Sequence, residues 1–189
     1  MTPHIVDVRE THRRWARMLV VRIQMPSGEL VERDVEDHGE AVAVLPYDPL
    51  RRVALLVRQC RAAPLLAVGE TDTLEVPAGR LENEAPEACA RREVMEEVGL
   101  RLGELQPVAI TWTMAALSTE RAHLYLAPYS AADRVAAGGG LADEQEVINV
   151  AETSLVDLAS LAGRGRIADI KLLLLVQTLR LRRPELFIV

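Results

Sequence analysis

Gly79-Arg80-Leu81-Glu82-Asn83-Glu84-Ala85-Pro86-Glu87-Ala88-Cys89-Ala90-Arg91-Arg92-Glu93-Val94-Met95-Glu96-Glu97-Val98-Gly99-Leu100 places more carboxylates close to a glycine turn than any other stretch of the chain. Pro86 suits a first helical turn, where its missing N–H costs nothing, and Gly99 suits the left-handed residue that closes a helix. A helix is therefore predicted over about residues 86–98. On a wheel with a 100° step, Val94, Met95, Val98 and Ala88 share one side, expected to be buried. Glu93, Glu96 and Glu97 take the opposite side, expected to face a cleft. Carboxylates at i, i+3 and i+4 repel one another, and divalent cations would offset that repulsion. Magnesium takes hard oxygen ligands and is held by a few carboxylates together with substrate phosphates. The i, i+4 spacing aims Glu93 and Glu97 at one point, which makes them the primary candidate metal ligands.

The segment resembles the Nudix box, whose pattern is G-x5-E-x7-R-E-U-x-E-E-x-G-U with U aliphatic. Arg92, Glu93, Val94, Glu96, Glu97, Gly99 and Leu100 occupy the fixed positions of its second half, and Met95 a free one. Gly79 to Arg92 is one residue shorter than the pattern, so the first glutamate falls on Glu84 or is replaced by Ala85. Leu74-Glu75-Val76-Pro77-Ala78-Gly79 is similar to the strand and Pro-Ala-Gly turn that precede the box in nucleotide-sugar hydrolases. The short turn points within the family to the nucleotide-sugar and ADP-ribose pyrophosphatase branch, closest to the GDP-mannose pyrophosphatases. The fold this resemblance implies is α/β, an α/β/α sandwich with a mixed sheet.

The resemblance also implies an activity: Mg²⁺-dependent hydrolysis, with Mn²⁺ as the alternative ion, of a nucleoside diphosphate linked to a sugar of the GDP-mannose or ADP-ribose type. The products are a nucleoside monophosphate and a sugar phosphate. The implied metal set adds the carbonyl of Ala78 to Glu93 and Glu97, with Glu96 binding a second ion or holding Arg92. Arg92 orients the carboxylates. Gly138-Gly139-Gly140 would let a loop swing and is followed by acidic residues. In the resembling branch a loop glutamate completes the site, and the count places it at Glu144 as metal ligand or base, with Glu146 as runner-up. In Arg58-Gln59-Cys60-Arg61 the two arginines suit diphosphate recognition through their planar forks, Arg61 being the better candidate. Glu75 either contacts substrate or holds an arginine. Met114-Ala115-Ala116-Leu117-Ser118-Thr119-Glu120 lacks the Ser-Pro-Gly typical of the ADP-ribose branch, although Glu120 matches an acidic residue common there and is a candidate substrate contact. His4, His12, His38 and His123 show no ligand spacing. The alternatives are a housecleaning hydrolase of other nucleoside polyphosphates, or a nucleotide-sensing module without turnover. The second would require lost metal ligands, and Glu93, Glu96 and Glu97 are all present.

Composition agrees with one catalytic domain and an N-terminal appendage: 189 residues, 49% hydrophobic and 26% charged, bury a sizeable core. A net charge of −6 disfavours a nucleic-acid polymer as partner. The two cysteines, Cys60 in an apolar strand and Cys89 in the box helix, are not ligand-spaced and are expected to be reduced and buried. The N-terminus lacks the basic and then apolar run of a signal peptide, and Leu172 to Val176 is far shorter than the about 18 residues of a membrane span, so a cytoplasmic protein is expected.

Two β-rich runs, 15–24 and 29–36, flank Pro26-Ser27-Gly28 and read as a hairpin. Leu19, Val20, Val21 and Ile23 give it more apolar surface than a free hairpin tolerates in water. In the resembling branches a comparable sheet packs on a second subunit, which implies a homodimer. The domains are thus 1–38, the hairpin, and 39–189, the hydrolase. Adjacent core strands are expected at 40–47 and 52–60, a loop at 62–73, a short strand before Gly79, and further strands at 107–113, 121–127 and 146–150. Helices are expected at 153–162 and at 167–181, the latter beginning near Asp169.

Overall fold

In the computed structural model, which describes residues 2–140 and 147–188, the turn at Pro26-Ser27-Gly28 forms with Gly28 at φ 89°, in the left-handed region that glycine permits. It joins the two expected strands in antiparallel register. Three strands, β1 (His4–Arg13), β2 (Arg17–Gln24) and β3 (Leu30–Asp37), form a sheet in the order β1-β2-β3. The sequence reading missed β1. All its residues are exposed, and register shifts between Ile5 and Asp7 and between Glu10 and His12 interrupt the period of two that marks a strand. These strands and residues 111–122 make one unit, in which Glu36 N–H donates to the Leu117 carbonyl and Thr119 N–H to the Glu36 carbonyl.

Residues 41–110 and 123–189 make the second unit. Its sheet contains β4 (Ala41–Asp48), β5 (Val53–Gln59), β6 (Thr73–Glu75), β7 (Ala78–Arg80), β8 (Gln106–Trp112), β9 (Arg121–Pro128) and β10 (Asn149–Ser154). The order is β10-β5-β4-β9-β8, with β6 paired to β5 and β7 to β4. Among the described residues, four α-helices accompany it: α1 (Ala62–Val68), α2 (Pro86–Val98), α3 (Leu155–Gly163) and α4 (Ile170–Arg182). Every residue of β4 after Ala41 is buried, which is why it reads as a continuous apolar run. Val42 and Val44 join Cys89, Ala90, Val94 and Val98 of α2 in one cluster. The alternate residues, Ala43 and Leu45, face the other side by the period of two, and α4 packs on β4. The central strand thus lies between two helical layers, the α/β/α arrangement expected. Each of the fully buried valines of α2 stabilises its layer by about 1.5–3 kcal/mol.

Four local expectations are corrected. Residues 62–68 are helical rather than loop. Gly69 caps α1 at φ 71°, but no residue of α1 is buried, so no apolar periodicity announced it. The strand expected at 146–150 runs over 149–154 and absorbs Thr153. Ser154 caps α3, its hydroxyl accepting from Asp157 N–H at 3.0 Å. Cys60 is exposed, because β5 ends at Gln59 and the chain turns there into α1; Cys89 is buried as expected. On α2, Ala88 is exposed, and Glu97 lies with Ala90, Val94 and Val98 on the buried face. A carboxylate can sit there because the backbone of β7 offers it a donor.

Candidate active site

That donor is Ala78 N–H, which reaches Glu97 Oε2 at 3.1 Å; only 3% of Glu97 is exposed. Ala78 is held in place by antiparallel pairing of β7 with β4, Ala43 lying opposite it. The next residue, Gly79, receives the other primary carboxylate. A Cβ built on Gly79 would lie 1.9 Å from both Cδ and Oε1 of Glu93, so the Glu93 carboxylate occupies the space a side chain would fill. Glu93 and Glu97, one helical turn apart, therefore converge on two consecutive residues of β7.

Arg92 gathers the other carboxylates. Its Nη2 lies 2.7 Å from Glu84 Oε1, and its Nη1 lies 2.8 Å from Glu93 Oε1 and 3.1 Å from Glu96 Oε2. Of the two positions open for the first glutamate of the box, Glu84 is the one whose carboxylate meets Arg92. That contact holds the Glu84 carboxyl below its ordinary range and raises the arginine further above its own. Cys89 sits within this group, its thiol donating to the Arg80 carbonyl at 3.3 Å, and burial pushes its pKa up to about 12. It is a packed, unreactive thiol.

The C-terminal end of α2 is fixed by the glycine run. Gly139 N–H donates to the Glu97 carbonyl at 2.9 Å and Gly140 N–H to the Glu96 carbonyl at 3.1 Å, satisfying two of the carbonyls a helix end leaves open. Gly138, at φ 76°, packs so closely that a Cβ would lie 2.5 Å from the Glu97 carbonyl oxygen. The glycines were expected to let a loop swing. All three adopt left-handed backbone, and Gly138 is also required for close packing. The residues that follow them, 141–146, lie outside the described residues, Glu144 and Glu146 among them.

Arg61 and Arg58 differ in setting. Arg61 Nε lies 3.0 Å from Glu75 Oε1 and its Nη2 lies 2.9 Å from Glu75 Oε2, a two-pronged contact to a buried carboxylate. Burial pushes the Glu75 carboxyl up, but hydrogen bonds from Arg61 and Thr73 and the nearby charges of Arg61 and Lys171 outweigh it and hold it below the usual range. Glu75 thus holds an arginine, one of its two expected roles. Arg58 is exposed and pairs with exposed Asp72 at 2.7 Å. Glu120 belongs to the other unit, where its Oε2 lies 3.3 Å from His38 Nε2, and the His38 ring in turn packs at a 40° tilt against Trp15 with ring centroids 4.6 Å apart.

Among the described residues, no three His, Cys, Asp or Glu side chains form a ready-made metal cluster. The donor set is nevertheless one that fits a hard divalent cation: carboxylates crowded on one helix, two of them brought to Ala78 and Gly79, with that glycine making room for a carboxylate against the backbone. Sequence reasoning missed Gly79 as the seat of Glu93 and Thr73 as a partner of Glu75. The Thr-x-Glu spacing, which puts both side chains on one face of a strand, was the available signal for Thr73.

A row of glutamates on a helix that a glycine turn and one arginine hold in place is the mark of a family, and the chain belongs to it: the model described as NUDIX domain matches residues 37–175. The chain is similar to the GDP-mannose pyrophosphatase of Cronobacter sakazakii, with 35% identity over 170 residues, covering 88% of this chain and 87% of that protein. It is also similar to the GDP-mannose pyrophosphatase of Klebsiella pneumoniae, with 32% identity over 182 residues, 94% of this chain and 91% of that one. The fold matches the crystal structure of an ADP compounds hydrolase with a TM-score of 0.75 at 19% identity, covering 97% and 96% of the two chains.

Proposed function

We propose that the protein hydrolyses the diphosphate bridge of a nucleoside diphosphate sugar of the GDP-mannose type, water cleaving one P–O bond to leave a nucleoside monophosphate and a sugar phosphate. The observation that carries this reading is the convergence of Glu93 and Glu97 on Gly79 and Ala78. The names of the relatives above, similar over most of their length, support the substrate class. Glu93, Glu97 and Glu96, with the Ala78 carbonyl and Glu144, are the residues that would hold Mg²⁺, or Mn²⁺ in its place. A bound divalent cation supplies charge neutralisation at phosphate oxygens and a water of lowered pKa. Arg92 holds the carboxylates of Glu84, Glu93 and Glu96 in place, and Arg61 offers a fixed guanidinium edge to the diphosphate. Glu144 is the candidate carboxylate to take the proton from water.

The chain is proposed to work as a homodimer through its N-terminal sheet, a reading supported by Ile5, Val6 and Val8 exposed along β1. The unpaired thiols of Cys60 and Cys89 support a reducing compartment, the cytoplasm. The test is release of nucleoside monophosphate from GDP-mannose, ADP-ribose, UDP-glucose, FAD, dinucleoside polyphosphates and nucleoside triphosphates, with Mg²⁺ or with EDTA. Metal-dependent cleavage of GDP-mannose that is lost in Glu97→Gln is expected. Binding without turnover of any of them would refute hydrolysis and favour a sensing module.

A further inference from the structure

We infer that Glu75, assisted by Thr73, is the positioning residue for Arg61, and that this buried carboxylate fixes the guanidinium for the substrate's diphosphate; the inference rests on the function proposed above. Three observations carry it. The contact is edge-on and two-pronged, so both the direction and the rotation of the guanidinium plane are set. The carboxylate is itself held: Thr73 Oγ1 lies 2.6 Å from Glu75 Oε1 and 2.9 Å from the Gln59 carbonyl, and its single proton favours the ionised carboxylate. The two partners are unequally buried, the Glu75 side chain being 7% exposed and that of Arg61 43%. An ion pair made only for stability has no need of this asymmetry, since an apolar pair of similar volume would serve at least as well.

Chain connectivity places the pair beside the acidic helix. Glu75 ends β6, and Ala78, which binds Glu97, follows three residues later, a separation of at most about 11 Å along an extended chain. Among the described residues, two cations act on Glu75, Arg61 in direct contact and Lys171 through its charge, the latter the chain's only lysine, whose Nζ also lies 2.8 Å from Asp169 Oδ1. Glu75 therefore restrains one cation and offsets part of the local positive charge, so that Arg61 contributes oriented donors more than bulk charge. Arg58, in its exposed pair with Asp72, has no such support.

The experiment compares Glu75→Gln, Glu75→Asp, Thr73→Val, Arg61→Gln and the double variant Glu75→Gln/Arg61→Gln, measuring kcat and KM for GDP-mannose, Tm, and GDP binding by calorimetry. Glu75→Gln is expected to raise KM about tenfold and to weaken GDP binding by a similar factor, with kcat within about twofold of the wild type. Thr73→Val is expected to move both in the same direction by less, and Glu75→Asp to recover part of the loss. The double variant is expected to be no worse than Arg61→Gln alone, because the two residues act as one unit. An unchanged KM and GDP affinity in Glu75→Gln overturns the proposal. So does a double variant whose losses multiply, or a loss that merely follows Tm. A wild type that binds GDP but cleaves no nucleotide sugar overturns the proposed reaction while the GDP arm still decides the role of Glu75. A wild type that neither binds GDP nor cleaves a nucleotide sugar overturns both.

Discussion

Replacing Gly79 by alanine separates the geometry of the acidic site from the stability of the fold. The new Cβ would lie 1.9 Å from Glu93 Cδ, and ordinary van der Waals contact begins at 3.4 Å, so the carboxylate must retreat by about 1.5 Å. The backbone of Gly79 is outside the left-handed region, so alanine is conformationally acceptable there. The obstructing atoms are the far end of a flexible side chain. An off-rotamer Glu93 costs about 0.5–1.5 kcal/mol, while Gly→Ala returns about 0.4–1 kcal/mol by restricting the unfolded chain. The two nearly cancel, and Tm should stay within about 4 °C of the wild type.

Catalysis has no such compensation. A misplacement of about 1 Å at a reacting group costs on the order of 100-fold, so kcat for GDP-mannose should fall by about that factor or more, equivalent to about 2.7 kcal/mol of transition-state stabilisation. Steady-state kinetics at saturating Mg²⁺, alongside thermal melting of the same preparations, reads both quantities. Wild-type kcat in Gly79→Ala would show that the seat of Glu93 is irrelevant to the chemistry. A loss of activity that merely tracks a collapse in Tm would show that the glycine serves packing alone.

At Gly138 the same substitution should behave oppositely. Alanine would have to adopt φ 76° with its Cβ 2.5 Å from the Glu97 carbonyl oxygen and 2.7 Å from Val98 Cα, backbone atoms that cannot swing aside. Left-handed strain and overpacking together predict a loss of about 2–4 kcal/mol, on the order of 10 °C in Tm by calorimetry. Glu75 should also leave a mark on acid stability. Its folded pKa is lowered, so its stabilising contribution is fully present above the unfolded value near 4.5 and is lost as pH falls through the folded value. Urea melts of the wild type and Glu75→Gln should accordingly differ most at neutral pH and converge in that acidic window; a difference that grows as pH falls would refute the assignment. Thiol titration with an aromatic disulfide should count one reactive group per native chain, Cys60, and two after denaturation, since Cys89 is buried with its pKa near 12. Two fast-reacting native thiols would contradict the packing of α2.

The sequence made α2 legible to the residue, from Pro86 to Gly99, because local rules govern its ends: a proline that needs no N–H and a glycine that can turn left-handed. The core strands β4 and β5 were legible for another local reason, their unbroken apolar composition. α1 and β1 were hidden because neither buries a residue, and burial is what writes periodicity into a sequence. The identity of the first box glutamate could not be decided from spacing alone. What spacing could not show is the contact that Glu84 makes, at 2.7 Å, with the arginine eight residues further on.

The misreading of Glu97 shows why the wheel is insufficient at such a site. Hydrophobicity sorts a glutamate to the wet face, yet on this helix the boundary between faces is set by a hydrogen-bond donor the wheel cannot see, the N–H of Ala78 on a separate strand. Glycines mislead in the complementary way. In sequence, Gly79 reads as a turn and Gly138–Gly140 as freedom of the chain. In the structure, Gly79 leaves room for a side chain and the later run brings backbone against backbone, with Gly139 and Gly140 bonded to the carbonyls of Glu97 and Glu96. Both act on the same helix, one seating a carboxylate and the other anchoring the turn from which two more project. The acidic row is therefore positioned from both ends by residues that carry no chemistry of their own, which is why the contrasting responses predicted for Gly79→Ala and Gly138→Ala test the site more sharply than removing a carboxylate would.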